Sequence, residues 1–149
     1  MSVNVLSEIL INRSRDAVAA FASDPDNAPK WYVNIKTVEW KTPKPLQVGS
    51  KVQFVAKFLG RDLRYTYEFI ELVTGSRVVM RTEEGPFPME TTYEWESPGP
   101  DKTLMRLRNR GNPSGFGSLA SPFLSRAMKS ANAKDLELLK RILEAGELS

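Results

Sequence analysis

The chain contains no histidine and no cysteine. Their absence removes the usual zinc sites, the Ser-His-Asp and Cys-His nucleophile arrangements, and the commonest general base near neutral pH. Any chemistry must run on carboxylates, Lys, Arg, Tyr or water, and neither a metal site nor a bound cofactor is expected. Three stretches could carry such chemistry. Asp135 is the first: at about 100° per residue it falls inside the arc of Leu124, Met128, Ala131, Leu138 and Ile142, which aims a carboxylate at the interior. Buried there without a partner, its pKa would rise toward the range useful for acid-base work. The same stripe rotates toward Leu136, Leu139 and Leu143 in its second half, and on that reading Asp135 sits only at the edge.

Arg81 and Glu83 are the second stretch, on a strand of undecided facing. If Val79, Arg81 and Glu83 point inward, an ion pair reaches the interior and can anchor the polar end of a ligand. If Val78, Met80 and Thr82 do, both charges go to solvent, where charged side chains usually lie. The third is Gly111-Asn-Pro-Ser-Gly115-Phe116-Gly117, placed between a strand and a helix as a phosphate-binding loop would be. It lacks the Lys-Ser/Thr ending, its glycines are not spaced G-x-G-x-x-G, and no parallel strand follows. It reads as a hinge, with Phe116 at one lip of a cavity mouth and the Glu84-Gly-Pro-Phe87-Pro turn at another.

The elements that must position these residues follow from periodicity. Val3, Val5, Ser7, Ile9 and Ile11 alternate with Asn4, Leu6, Glu8 and Leu10, the period-two pattern of a strand. Ser14 offers an N-cap ahead of a short helix carrying Ala17, Val18 and Phe21, and Asp24-Pro25 opens a second short helix ending near Trp31. Thr37 to Lys41 is a brief strand stopped by Pro43, Pro45 and Gly49. Five strands follow, Lys51 to Phe58, Arg61 to Val73, Ser76 to Glu83, Met89 to Ser97 and Thr103 to Arg110, separated by turns too short for anything but antiparallel neighbours. That makes about seven strands. The last element starts at Ser121-Pro122 and runs to about Ala145, a helix of roughly 36 Å that can lie across the whole sheet.

Alternation also divides the sheet into two faces. Arg106, Arg108 and Arg110 alternate with Met105 and Leu107, and Glu90, Thr92, Glu94 and Glu96 alternate with Met89, Thr91, Tyr93 and Trp95. Carboxylates therefore stand beside arginines on an outer, solvated face. Such exposed pairs are worth about 0–1 kcal/mol each and specify pairing more than they stabilise it. The inner face gathers Phe54, Tyr65, Tyr67, Phe69, Met89, Thr91, Tyr93, Trp95, Met105 and Leu107. A dense core favours Leu, Ile and Val, whereas tyrosines need partners for their hydroxyls and methionine fills irregular space. Such a surface suits a cavity, although aromatic-rich sheets also fill solid cores.

With 149 residues, one domain spanning 1–149 is expected, large enough for a core of its own. The 21 basic and 18 acidic residues are interspersed, without the basic stripe of a nucleic-acid module, so no nucleic-acid partner is expected. No basic segment leads into an apolar one at the start and no apolar run reaches bilayer length, which points to a cytoplasmic protein without stable membrane insertion.

The stretch Ile11-Asn-Arg-Ser-Arg-Asp16-Ala-Val18-Ala-Ala-Phe21-Ala-Ser-Asp24, with Trp31, Val48-Gly49-Ser50 and the tail Asp135-Leu-Glu-Leu-Leu-Lys140-Arg-Ile-Leu-Glu144, resembles the START/Bet v 1-like (SRPBCC) superfamily. Within it, the likeness is to the bacterial polyketide cyclase/dehydrase and lipid-transport group, and it runs from Val3 to Ala145. The resemblance implies an α+β helix-grip fold: a seven-stranded curved antiparallel sheet wrapped around a long C-terminal helix, two short helices after the first strand, and a cavity between sheet and helix. No catalytic set shared across the superfamily transfers to this chain, and fold alone does not choose among its activities.

The function expected is the binding, sequestration or transport of a hydrophobic small molecule, whether lipid, polyketide-like or aromatic. Trp31, Phe54, Tyr65, Tyr67, Phe69, Met80, Met89, Thr91, Tyr93, Trp95, Met105, Leu107, Phe116, Leu124 and Met128 would line the cavity, with Arg81, Glu83 or Asp135 as polar anchors. The alternatives are a cyclase or dehydratase working in the same cavity without His or Cys, and a protein-interaction module, for which the sequence offers no obvious apolar patch. An available edge strand leaves a homodimer open.

Overall fold

The computed structural model describes residues 3–58, 60–84, 87–112 and 121–146. Strand β1 (Val3–Ile11) leads into helix α1 (Arg15–Ser23), a 3₁₀ turn (Pro25–Asn27) and the short helix α2 (Ala28–Trp31). Six strands follow: β2 (Ile35–Trp40), β3 (Lys51–Phe58), β4 (Arg61–Val73), β5 (Arg77–Glu84), β6 (Met89–Gly99) and β7 (Lys102–Gly111). Helix α3 (Ser121–Glu144) closes the structure.

Local chemistry accounts for the boundaries. The Ser14 hydroxyl accepts from the Ala17 amide at 3.4 Å to cap α1, and the Asp24 carboxylate accepts from Asp26 at 3.0 Å to start the 3₁₀ turn, where the sequence suggests one continuous second helix. Gly49, at φ 96°, makes the turn into β3 and donates its amide to the Phe69 carbonyl at 2.8 Å.

All seven strands form one antiparallel sheet in the order β1-β7-β6-β5-β4-β3-β2. Its register shifts within the β4/β5 and β2/β3 pairs, irregularities of the kind that bend a sheet. Helix α3 is tied to the far end of β1: Arg13 donates to the Leu143 carbonyl at 2.7 Å, Lys140 to the Leu10 carbonyl at 2.7 Å, and the Asn12 amide to Glu144 at 2.8 Å.

The outer face carries the charge ladder, extended one strand further than the sequence reading took it. Arg106 reaches Glu8 on β1 at 2.7 Å as well as Glu96 on β6 at 2.8 Å, Arg110 meets Glu90 at 2.9 Å, and Arg108 donates to Asn4 at 2.7 Å. The facing of β5 is also resolved: Val78 and Met80 enter the core, whereas Arg81 is exposed opposite Glu90.

Beneath the sheet lies the larger core cluster, which includes Ile11, Val18, Trp31, Phe69, Trp95, Met105, Leu107, Leu136, Leu139 and Leu143. A smaller cluster of Val3, Val5, Phe87, Met89, Leu124 and Met128 sits toward the start of α3. Gly111 belongs to this second end, opposite both Val3 and Met89, and a Cβ there would stand 2.7 Å from the Pro88 carbonyl oxygen and 3.3 Å from the Phe87 ring. Gly111→Ala is therefore expected to destabilise by about 1–3 kcal/mol in urea denaturation, since backbone must move to admit the methyl. A neutral result would mean that the strand ends give way freely.

Candidate functional site

Between the two core clusters the side chains of sheet and helix do not meet, leaving a cavity of about 140 Å³. Its sheet wall is Phe54 and Ala56 of β3, Leu63, Tyr65 and Tyr67 of β4, Met80 of β5, Met89, Thr91 and Tyr93 of β6, and Asn109 of β7. Met128, Ala131, Asn132 and Asp135 of α3 face them, and Tyr32, Asn34, Ile35 and Phe87 complete the lining. Asn34, Ile35, Ala56, Tyr65 and Ala131 are only partly buried and rim the side toward solvent.

The aromatic walls lean on one another edge to face, Phe54 on Tyr67 at 5.9 Å and Tyr65 on Phe87 at 6.4 Å between ring centres, which fixes their orientation without filling the space. Two polar groupings break the apolar surface. On the sheet, the Thr91 hydroxyl donates to Asn109 Oδ1 at 2.9 Å, which leaves Tyr67 to donate to Thr91 at 3.4 Å or to the Met89 sulfur at 3.6 Å. Burial pushes the Tyr67 phenol up to about 12, so it remains a neutral donor.

On the helix side, Asp135 is 3% exposed and its Oδ1 accepts the Val33 amide at 2.8 Å. Burial raises its carboxyl to about 6, partly opposed by that amide, and no basic side chain among the described residues lines the cavity to hold it down. The hydroxyls of Tyr32 and Tyr93 are hydrogen-bonded to each other nearby, and burial drives both phenols well above their usual range. One helical turn before Asp135, Asn132 is 6% exposed and its Nδ2 has no hydrogen-bond partner among the described residues.

The structure thus gathers Phe54, Tyr65, Tyr67, Met80, Met89, Thr91, Tyr93, Met128 and Asp135 around one space. Trp31, Phe69, Trp95, Met105 and Leu107 lie instead in the solid core, and Leu124 packs in the smaller cluster. Arg81 is exposed on the opposite face, away from the cavity. Phe116 and the side chain of Glu83 lie outside the described residues. Asp135 is itself buried on α3 and lines the cavity, one helical turn from the buried Asn132 and Leu139. Asn109 and Asn132 were absent from the expected lining, yet Asn109 continues the inward phase of Met105 and Leu107 and so was readable as a polar residue on an apolar face.

Among the described residues no cluster of carboxylates could hold a metal ion, and no helix is long and apolar enough to cross a membrane. The family model described as polyketide cyclase / dehydrase and lipid transport matches residues 2–144. Among solved structures, a START superfamily protein from Mycobacterium smegmatis superposes with a TM-score of 0.84 at 14% identity, covering 95% of this chain and 97% of that one. The Zhui aromatase/cyclase from Streptomyces sp. R1128 gives 0.81 at 14% identity, over 97% and 94% of the two chains. The major latex-like protein 151 of Panax ginseng gives 0.71 at 14% identity, over 99% of each. These likenesses establish the helix-grip architecture, a curved antiparallel sheet around a long terminal helix. No curated protein matches the sequence.

Proposed function

The chain belongs to the polyketide cyclase/dehydrase and lipid-transport family of the START/SRPBCC superfamily, and from that premise we propose that it binds a hydrophobic small molecule in the space between its sheet and α3. The observation that carries this reading is the unfilled cavity itself, walled by six aromatic rings (Tyr32, Phe54, Tyr65, Tyr67, Phe87, Tyr93) and three methionines (Met80, Met89, Met128). A fold that needed only stability would close that space, because each unfilled volume forfeits dispersion contacts. A guest restores them, and apolar burial supplies the affinity while a few polar atoms set orientation.

Native mass spectrometry of freshly purified protein is expected to show an apolar adduct lost on denaturation. Ala131→Trp, which turns an indole from the helix into the cavity, is expected to abolish that adduct and to weaken binding of a small aromatic compound at least tenfold in calorimetry, with the melting temperature held. Unchanged binding in this variant would place the ligand elsewhere.

A second reading is an enzyme of the cyclase or dehydratase type in the same cavity, favoured by Asp135. A carboxyl raised by burial to about 6, beside the hydroxyls of Tyr32 and Tyr93, has the protonation behaviour of a general acid-base group. Turnover of an activated polyketide-type substrate that is lost in Asp135→Asn but retained in Arg81→Ala would support it.

A further inference from the structure

One charge in the cavity is unbalanced. Asp135 is the only side chain of the described lining that carries a formal charge at neutral pH. Of its two carboxylate oxygens, Oδ1 accepts the Val33 amide at 2.8 Å, whereas Oδ2 makes no hydrogen bond among the described residues. Oδ2 is also not one of the side-chain atoms sealed inside the protein without a partner, as Asn132 Nδ2 is, so it opens onto the space that Asp135 lines. No lysine or arginine of the described residues lines that space, and the residues outside them include none. A carboxylate taken out of water without a counterion is costly, and a partner of opposite charge offsets much of that cost.

The walls suit the same partner. The negative faces of tyrosine and phenylalanine rings attract a cation, more strongly where water is excluded, and six such rings line the space. An anionic guest would meet repulsion from Asp135 and from those ring faces. A neutral hydroxyl could donate to Oδ2 but would leave the charge unbalanced. Size sets the rest of the molecule: about 140 Å³ is close to the volume of an apolar protein cavity, about 150 Å³, that takes up benzene. The space encloses one ring with a short arm, and an extended chain would have to leave through the rim.

We infer that the cavity selects a small arylalkylamine, cationic at neutral pH, with its ammonium paired to Asp135 Oδ2 and its ring against Phe54, Tyr65 and Tyr67 of the sheet wall. This rests on the small-molecule reading above and names its ligand class. The guest supplies the counterion that the chain itself does not place in the cavity, and the amide of Val33 holds the carboxylate in position to receive it.

The test is calorimetric titration of the whole protein at pH 7.5 with four probes of similar size: phenethylamine, 2-phenylethanol, ethylbenzene and phenylacetate. Phenethylamine is expected to bind at least tenfold more tightly than each of the others. Asp135→Asn, which keeps an oxygen for the Val33 amide and removes the charge, is expected to abolish that advantage while leaving ethylbenzene affinity within about twofold. The inference is overturned if 2-phenylethanol or ethylbenzene binds as well as phenethylamine, or if phenylacetate binds best; in those cases the cavity is a binding site with other preferences. It is overturned equally if the advantage of the amine survives in Asp135→Asn. If none of the four binds, the inference falls together with the cavity reading. The ranking of probes on the unmodified protein decides the matter even if Asp135→Asn fails to fold.

Discussion

Trp31→Ala is expected to cost about 3–5 kcal/mol of folding stability, the range for deleting a fully buried large aromatic residue. Trp31 is 0% exposed although it stands on a helix of only four residues, too short to persist without tertiary support. Its ring lies 4.1 Å from that of Tyr32 and 5.8 Å from that of Tyr93, so it is the wall behind the hydroxyl pair of the cavity. Removing the indole should loosen α2 and let both tyrosines turn, so ligand affinity is expected to fall with stability. Trp31→Phe should be far milder, because among the described residues the indole Nε1 has no hydrogen-bond partner to lose. Urea denaturation of both variants checks this, and an alanine variant within 1 kcal/mol of the parent would show that α2 contributes little to the core.

Asp135→Asn is expected to stabilise the empty protein at pH 7.5 by up to about 3 kcal/mol. The carboxyl is raised from 3.8 to about 6, roughly two pH units at about 1.4 kcal/mol each. The sign follows from where the proton prefers to be. Between pH 4 and 6 the folded chain holds a proton that the unfolded chain releases, so this group's contribution falls as pH rises through that window and stays at its full penalty above it. The groups that face Asp135, the phenols of Tyr32 and Tyr93, remain neutral throughout. Asparagine keeps an oxygen for the Val33 amide and drops the charge. The stability difference between variant and parent should therefore grow from pH 4 to pH 6 and then level off, and a difference constant across that window would refute the assignment. A carboxylate kept at such a cost is what a binding or reacting group looks like in a fold that needs it for something other than stability.

Much of this architecture was legible from residue order. The strands announce themselves by alternation, as in Thr91, Tyr93 and Trp95 against Glu90, Glu94 and Glu96, because a pleated strand has only two sides and one of them is wet. Which inward residues meet a void was not legible. Tyr93 and Trp95 are two apart on the same face of β6, yet the first lines the cavity and the second is packed solid. Periodicity encodes facing but not depth, and depth depends on where the bent sheet parts from α3. The helix posed the same difficulty: Asp135 lay within one reading of the stripe and at the margin of another, and only packing chose between them. Tyr32 and Asn34 could not be found by pattern, since they occupy the connection between α2 and β2, where no period applies.

The position of β1 at the sheet edge beside β7 has a consequence for biosynthesis. Glu8 and its partner Arg106 are 98 residues apart, so during synthesis β1 must wait for β7 before its neighbour in the sheet exists. Contacts of such long span slow folding, and an alternating apolar segment left waiting is open to self-association. β1 is therefore exposed to such association until β7 is made, and pairing with β7 then covers one of its two sides, because β1 remains the terminal strand of the sheet.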